Sequence, residues 1–217
     1  MLRSQFEDEL NKLHNQFYSM GTQVSAQLNK AVRAFVSHDK ELAEEVIASD
    51  EEINYLETKL ETKSLEMIAL QQPVSHDLRT IITVLKASSD LERMGDHAVS
   101  IAQAAINLKG EERIPSVEED ITIMGEKVKN IVDASLNAYM QGDEVRAREI
   151  ATWDNDINLM FSEIQNKVLE GMKDNTDTIH TGKEYLMTLT YLERIGDYAK
   201  NLCEWIVYLK TGKIVEL

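Results

Sequence analysis

The chain carries the sequence Asp-Leu-Glu-Arg-Met-Gly-Asp-His-Ala at residues 90–98 and Tyr-Leu-Glu-Arg-Ile-Gly-Asp-Tyr-Ala at residues 191–199. Both copies follow the pattern Leu-Glu-Arg-x-Gly-Asp-x-Ala, in which a glutamate precedes an aspartate by four residues. Because positions four apart lie on one face of an α-helix, each copy places two carboxylates side by side. The duplicated segment therefore predicts an internal repeat of helices, with one acidic pair in each half.

The repeat extends over most of the chain. A shift of 104 residues aligns Met20-Gly21 with Met124-Gly125, and a shift of 101 residues aligns the two acidic segments. The difference indicates that the second copy lacks three residues near the turn before its third helix. We therefore predict a first repeat at residues 1–110 and a second at residues 116–217.

Apolar residues recur every three or four positions in each half, which is typical of helices that bury one face in a bundle. In the first half, helices are predicted at about residues 3–37, 39–70 and 75–108, with Asp39 and Ser75 as N-caps of the second and third. Short connections make successive helices antiparallel neighbours. The sequence therefore predicts an all-α fold of six helices, arranged as two tandem, pseudo-symmetric, antiparallel three-helix bundles.

Charge and composition restrict the possible functions. The 217 residues carry a formal net charge of −15, which repels the phosphate backbone of nucleic acids and favours metal cations or a basic partner protein. The single cysteine cannot form an internal disulfide, which fits a reducing compartment. The acidic N-terminal segment does not resemble a signal peptide, and no apolar run reaches the roughly 18 residues that a membrane helix requires. We therefore expect a cytoplasmic protein with no nucleic-acid partner and no membrane insertion.

The acidic pairs lie within or at the edge of the apolar helix faces, where a carboxylate is unfavourable unless it is paired, hydrogen-bonded or bound to metal. The second predicted helix of each half adds further oxygen donors at repeat-related positions. Carboxylate and amide oxygens suit a hard or borderline cation. The candidate metal ligands are Glu92, Asp96, Glu193, Asp197, Asp50, Asn54, Asp154 and Asn158.

Two other interpretations stay open. The acids can form ion pairs with Arg93, Arg194 or Lys200, in which case the chain is a metal-free helical scaffold. A multinuclear metal enzyme is disfavoured, because no histidine stands three residues after a helical glutamate as it does in di-iron bundles. The sequence contains neither a glycine-rich phosphate loop nor a Cys-x-x-Cys pair. No catalytic residue is predicted, and we interpret the chain as a non-enzyme.

The sequence is similar to the PhoU family, the accessory regulators of bacterial phosphate-specific transport. The resemblance covers nearly the whole chain and rests on the segments Asp50–Glu57, Gln72–Arg79, Asp90–His97 and Leu192–Asp197. Two occurrences of the Leu-Glu-Arg-x-Gly-Asp pattern in one all-helical chain of this size make the resemblance highly specific.

The resemblance implies a non-enzymatic adapter between the ATP-driven phosphate ABC importer and a membrane sensor kinase. Such an adapter represses phosphate-starvation genes and restrains uptake when phosphate is plentiful. In some members of the family the acidic motifs hold multinuclear clusters of iron or zinc on the protein surface, and the resemblance implies the same role for them here. Association of two copies into a homodimer through helix faces is compatible with the sequence, which does not specify it.

The resemblance also marks residues outside the acidic pairs. Asp77, Arg79, Arg93 and Arg194 belong to the matching segments and are interpreted as partner-binding or structural residues. The family pattern can carry aspartate where this chain has asparagine, at Asn54 and Asn158, which lowers the charge of the ligand set. The segment at residues 72–79 has no equivalent in the second half, so the two sites need not be equal.

Overall fold

The computed structural model describes the backbone from Leu2 to Leu217 and the side chains from Gln5 onward. Helices account for most of this part of the chain, and no strand occurs within it. The α-helices are α1 Leu2–Ser37, α2 Lys40–Ala48, α3 Asp50–Gln71, α4 Ser75–Asn107, α5 Pro115–Gln141, α6 Glu144–Ala151, α7 Asp154–Asp174 and α8 Ile179–Thr211, with a 3₁₀ turn at Thr176–Thr178. The predicted all-α fold of two antiparallel three-helix bundles is confirmed.

The second predicted helix of each repeat is divided into two segments, α2 with α3 and α6 with α7. At each break a hydroxyl donates to the carbonyl oxygen three residues earlier, from Ser49 at 2.8 Å and from Thr152 at 2.7 Å. Such local bonds compete with the continuation of a helix. As a result, Asp50 and Asp154 lie in the first turn of a new helix rather than in the middle of a long one.

One predicted cap is confirmed and one is wrong. The Asp39 carboxylate accepts a hydrogen bond from the backbone N–H of Leu42 at 3.0 Å, and its repeat counterpart Asp143 caps α6 in the same way. Ser75 does not cap α4: the extended residue before the helix is Val74, and Ser75 is itself the first residue of the helix, with φ of 50°. No side-chain hydrogen bond caps α4. An N-cap residue normally has an extended backbone, which Ser75 lacks.

The core is shared by the two repeats. Helices α1, α4, α5 and α8 pack against one another, while α2 and α3 cover α1 and α4, and α6 and α7 cover α5 and α8. Buried apolar side chains from both repeats form one continuous cluster. No helix in the described part of the chain combines the length and the apolar character that a membrane span requires.

The contact between α1 and α5 shows the pseudo-twofold symmetry directly. A Cβ atom built on Gly21 would lie 2.3 Å from Leu136 Cδ2, and one built on Gly125 would lie 2.7 Å from Val32 Cγ1. The two glycines are 104 residues apart, and so are the two aliphatic residues. Each glycine therefore leaves the space that an aliphatic side chain of the other repeat occupies.

The connection between the repeats is held by a buried glutamate. Glu118, in the first turn of α5, accepts hydrogen bonds from Arg113 Nη1 at 2.7 Å and from the Tyr185 hydroxyl at 2.9 Å. The same hydroxyl accepts a hydrogen bond from the backbone N–H of Ile114 at 3.2 Å. The residues before α5 are therefore fixed to α8, which holds the second repeat in place.

Replacing Gly125 by leucine is expected to lower the free energy of unfolding by about 1–3 kcal/mol, because the added side chain must displace the branched Val32. Chemical denaturation of the single variants and of Gly125→Leu/Val32→Ala measures the effect. We expect the second substitution to recover part of the loss. Two strictly additive substitutions would contradict the described contact between α1 and α5.

Candidate functional site

The structure brings the predicted acidic residues together in two grooves, one in each repeat. The first groove lies between α3 and α4, and the second lies between α7 and α8. In each groove, carboxylates on the two facing helices repel each other. Asp50 and Glu92 do so in the first groove, and Asp154 and Asp197 do so in the second. The first groove consists of Asp50, Asn54, Glu57, Glu92 and Asp96, and the second consists of Asp154, Asn158, Glu193 and Asp197.

The aspartate at the start of α3 or α7 is the most constrained member of each groove. The side-chain amide of Asn54 donates to Asp50 Oδ2 at 3.1 Å, and the amide of Asn158 donates to Asp154 Oδ2 at 3.1 Å. The first turn of a helix favours a carboxylate because its unpaired N–H groups carry partial positive charge. The helix breaks and the two asparagines therefore fix the same carboxylate orientation in both repeats.

The other oxygen of each of these carboxylates has no partner. Asp50 Oδ1 and Asp154 Oδ1 are both buried and accept no hydrogen bond from any described residue. A buried acceptor without a partner costs free energy unless water or an ion satisfies it. The same atom is left unsatisfied in both repeats, which points to an electropositive partner at two equivalent places.

The glycines of the duplicated motif allow these carboxylates to approach α4 and α8. A Cβ atom built on Gly196 would lie 3.2 Å from Asp154 Oδ1, and one built on Gly95 would lie 3.9 Å from Asp50 Oδ1. A larger residue at position 196 would crowd the unsatisfied oxygen of Asp154, whereas one at position 95 would crowd Gln27 and Ile53 and would only contact Asp50. Glycine therefore keeps the carboxylate against the neighbouring helix at a cost of about 1 kcal/mol in helix stability.

Gln27 belongs to the first groove, although the sequence analysis did not identify it. Its amide nitrogen donates to the carbonyl of Val46 at 3.3 Å and to Ser49 Oγ at 3.2 Å. Its Oε1 atom is buried without a partner and would lie 3.1 Å from a Cβ atom on Gly95. The sequence feature that could have identified Gln27 is its position as a polar residue on the apolar stripe of α1, three positions after Val24. The equivalent residue of the second repeat is Ile131, so the two grooves differ here.

Burial and mutual repulsion destabilise the charged carboxylates. Burial raises the pKa of Glu92, and repulsion from Asp96, Glu57 and Asp50 raises it further. Burial also raises the pKa of Asp96, and Asp50 adds to this rise. The pKa of Glu57 is raised by burial and by Glu61. Each carboxylate of the first groove thus makes the ionisation of its neighbours less favourable.

The second groove follows the same electrostatic pattern, with one added cation. Burial raises the pKa of Glu193, with contributions from Asp197 and Asp154. Burial and Asp197 raise the pKa of Asp154, while Lys200 and the hydrogen bond from Asn158 oppose that rise. Asp154 is only 4% exposed, whereas Asp50 is half-buried. The two grooves are therefore unequal.

The arginines of the motif give the acids little direct compensation. Arg194 Nε lies 4.0 Å from Glu193 Oε2, at the limit of an ion pair, and both side chains are partly exposed. Arg93 stacks on the ring of Tyr198 at 5.9 Å from its centre, and that tyrosine stacks on His97. The arginines therefore lie on the surface where α4 meets α8, between the two grooves.

Asp77 and Arg79 lie at the opposite end of α4 from its acidic pair. Asp77 is in the first turn of α4, 15 residues before Glu92, which corresponds to about 22 Å along a helix. Arg79 packs against Gly212, the C-cap of α8, where Nη1 would lie 3.0 Å from a Cβ atom. The structure therefore does not bring these two residues into either groove.

Within the described residues, no three His, Cys, Asp or Glu side chains come together as a group that could hold a metal ion. Each groove nevertheless offers an unsatisfied, buried carboxylate oxygen beside its Glu/Asp pair. Oxygen donors of this kind fit hard cations, which complete their coordination with water. The donor sets therefore fit a partly hydrated cation better than an ion fully enclosed by protein.

Comparisons with known proteins identify similar chains of the same length. The PhoU domain family matches residues 17–105 and 121–206. A protein named phosphate-specific transport system accessory protein PhoU homolog, from Clostridium acetobutylicum, is 38% identical over 100% of this chain and 99% of its own. The crystal structure of the phosphate transport system regulatory protein PhoU from Streptococcus pneumoniae is 35% identical, with a TM-score of 0.92 over 98% of this chain and 100% of that chain. The crystal structure of PhoU from Pseudomonas aeruginosa is 31% identical, with a TM-score of 0.92 over 96% and 100% of the two chains.

Replacing Glu92 by glutamine is expected to stabilise the metal-free protein at pH 7 to 8, by about 1 kcal/mol or less because the site is partly screened by solvent. The pKa of Glu92 is raised in the folded state, so the folded chain binds more protons than the unfolded chain and loses stability as pH rises through that pKa. The advantage of the variant should vanish at acidic pH, below the ordinary pKa of glutamate.

Thermal unfolding in the presence of a chelator, from acidic to neutral pH, measures this dependence. Glu126→Gln, which removes an exposed acid from the middle of α5, is the matched control and should show a smaller effect. A Glu92→Gln variant that is destabilised at neutral pH would show that the carboxylate makes a net favourable interaction without metal.

Proposed function

Since the chain belongs to the PhoU family, we propose that it is an accessory regulator of bacterial phosphate transport. The observation that carries this proposal is the similarity over the full length to proteins that are named accessory or regulatory proteins of phosphate transport. Those names also support a non-enzymatic role. An acidic groove with an unpartnered, buried aspartate oxygen is present in each half of this chain.

The proposed regulation is negative. When phosphate is plentiful, the protein restrains the phosphate ABC importer, its sensor kinase or both, and keeps phosphate-starvation genes repressed. The long α-helices offer extended surfaces for such partners, and the charge of −15 favours basic partner surfaces. The predicted homodimer, the cytoplasmic location and the limits of the two repeats stay predictions.

The proposed role of the grooves is to bind iron or zinc as multinuclear clusters. In the first groove Asp50, Glu92 and Asp96 would each contribute oxygen ligands, and in the second Asp154, Glu193 and Asp197 would do so. Because no three of these described side chains already form a metal-binding group, water would complete the coordination. A bound cation would supply the positive charge that each groove lacks. The two asparagines, Asn54 and Asn158, hold their neighbouring aspartates in position through the hydrogen bonds at 3.1 Å.

Neutralising the grooves would strengthen the packing of two helix pairs. Repulsion between Asp50 on α3 and Glu92 on α4 acts across the contact of these helices, and repulsion between Asp154 and Asp197 does so for α7 and α8. Removing this repulsion would hold α3 and α7 more firmly in place. The surface that a partner protein meets would then depend on the state of the grooves.

Expression of the chain in a bacterium that lacks its own PhoU protein tests the regulatory role. We expect the wild-type chain to lower a phosphate-starvation reporter and phosphate uptake in phosphate-rich medium. The variant Glu92→Gln/Asp96→Asn/Glu193→Gln/Asp197→Asn should accumulate to the same level and regulate poorly. Glu126→Gln/Glu170→Gln removes exposed acids outside the grooves and should behave like the wild type.

Two outcomes would contradict the proposal at different levels. If the wild-type chain accumulates and changes neither reporter nor uptake, it is not a regulator of phosphate transport in that host. If the fourfold groove variant regulates as well as the wild type, the chain is a regulator whose grooves serve only as structure. If the purified wild-type protein showed phosphatase activity and the fourfold groove variant did not, this would support a metal enzyme instead.

A further inference from the structure

A polar cavity of about 550 Å³ lies where four helices meet, away from both grooves. It is lined by His14 on α1, His76 at the start of α4, Tyr139 at the end of α5 and Lys210 at the end of α8. The nearest acidic-pair residues are 12 or more positions away along α4 and α8, which corresponds to about 18 Å. Both repeats contribute to the cavity, so it exists only in the assembled fold.

The charge of this cavity is opposite to that of the protein. The chain has 38 acidic and 23 basic residues, yet no aspartate or glutamate lines the cavity. Within the described part of the chain, neither the Lys210 ammonium nor the His76 ring has a hydrogen-bond or ion-pair partner. Both residues are exposed, so a ligand in the cavity can reach them. An ammonium group and two imidazole rings that come from three helices, without a carboxylate beside them, favour an anion.

A hydrogen bond with Tyr139 fixes the orientation of the His14 ring. The buried Tyr139 hydroxyl lies 2.5 Å from His14 Nδ1, and burial raises the pKa of this tyrosine, so the hydroxyl stays protonated and donates to the imidazole. In neutral His14 the proton is therefore on Nε2, which is left as a donor. Burial and His76 lower the pKa of His14, and an anion bound beside the two rings would oppose that decrease.

The segment at residues 72–79, which the grooves do not use, supplies one wall of this cavity. It delivers His76, and three residues later Arg79 packs against the C-cap of α8. Arg79 Nε is buried and has no hydrogen-bond partner among the described residues. Lys210 lies over the end of α5, where its charge also favours the helix C-terminus. That role accounts for Lys210 alone and leaves the two histidines and the absence of lining acids unexplained.

We propose that the cavity lined by His14, His76, Tyr139 and Lys210 binds a phosphate group, either as inorganic phosphate or as part of a phosphorylated small molecule. The imidazoles and the ammonium donate to its oxygens, and the cavity is large enough for more than the phosphate group itself. This site is independent of any metal in the grooves. It goes beyond the proposed regulatory function by giving the chain its own contact with a phosphate compound.

Isothermal titration calorimetry on the full chain in the presence of EDTA tests the site, with inorganic phosphate and AMP as probes. We expect at least one probe to bind, and His76→Gln/Lys210→Gln to weaken it at least tenfold. Binding of phosphate alone identifies the free anion, binding of AMP alone identifies a phosphorylated metabolite, and competition between them identifies the shared phosphate group. Circular dichroism checks that the variant, altered at two exposed residues, stays folded.

Lys12→Gln is the matched control, because Lys12 is an exposed lysine that lines a neighbouring cavity containing glutamates. It should bind the probes as the wild type does. The proposal is overturned if neither probe binds, or if the double variant binds as tightly as the wild type. Either result would leave the regulatory function untouched, since that function is judged by the reporter and the uptake assay in cells.

Discussion

The close approach of α4 to α3, and of α8 to α7, is the constraint on which both acidic grooves depend. It requires a glycine at one position of each motif, because a larger residue would crowd Asp154 at position 196, and Gln27 and Ile53 at position 95. It also requires the break before that helix, since only the break places Asp50 and Asp154 in a first turn. Glycine, break and carboxylate occur together twice, which indicates that they form one structural unit.

The shared core makes the two grooves parts of one rigid body. Helices α4 and α8 carry the acidic pairs and pack directly against each other, while α1 and α5 pack through reciprocal glycine contacts. A change in one groove therefore acts on a helix that also supports the other repeat. The cavity at the far end of α4 and α8 is formed by the same four helices, so its shape depends on the same packing.

Much of the fold could be predicted from the sequence, because an internal repeat constrains every helix twice. The apolar period identified the helix faces, and the spacing of Glu92 and Asp96 placed both on one side of a helix. The break at Ser49 could not be predicted, since serine is tolerated inside helices and the break depends on a local hydrogen bond. Ser75 failed as a cap because its backbone is left-handed, which composition does not reveal.

The candidate site was predicted in part. The sequence identified the acidic pairs of the two grooves and the aspartates that face them, and it left open whether arginines compensate these acids. The structure shows that Arg93 stacks on an aromatic ring instead, and that Asn54 and Asn158 orient the aspartates. Gln27 was missed because one polar residue on an apolar stripe is a weak signal. The cationic cavity was missed because its residues come from four separate helices and share no local motif.

The most direct test of the account is the metal content of the protein purified without added metal or a histidine tag. The account predicts several iron or zinc atoms per chain. Part of this metal should be lost in Glu92→Gln/Asp96→Asn, part in Glu193→Gln/Asp197→Asn, and all of it in the fourfold variant, while each variant stays helical. A parent protein that holds no metal, even after reconstitution, would contradict the account and identify the chain as a metal-free scaffold.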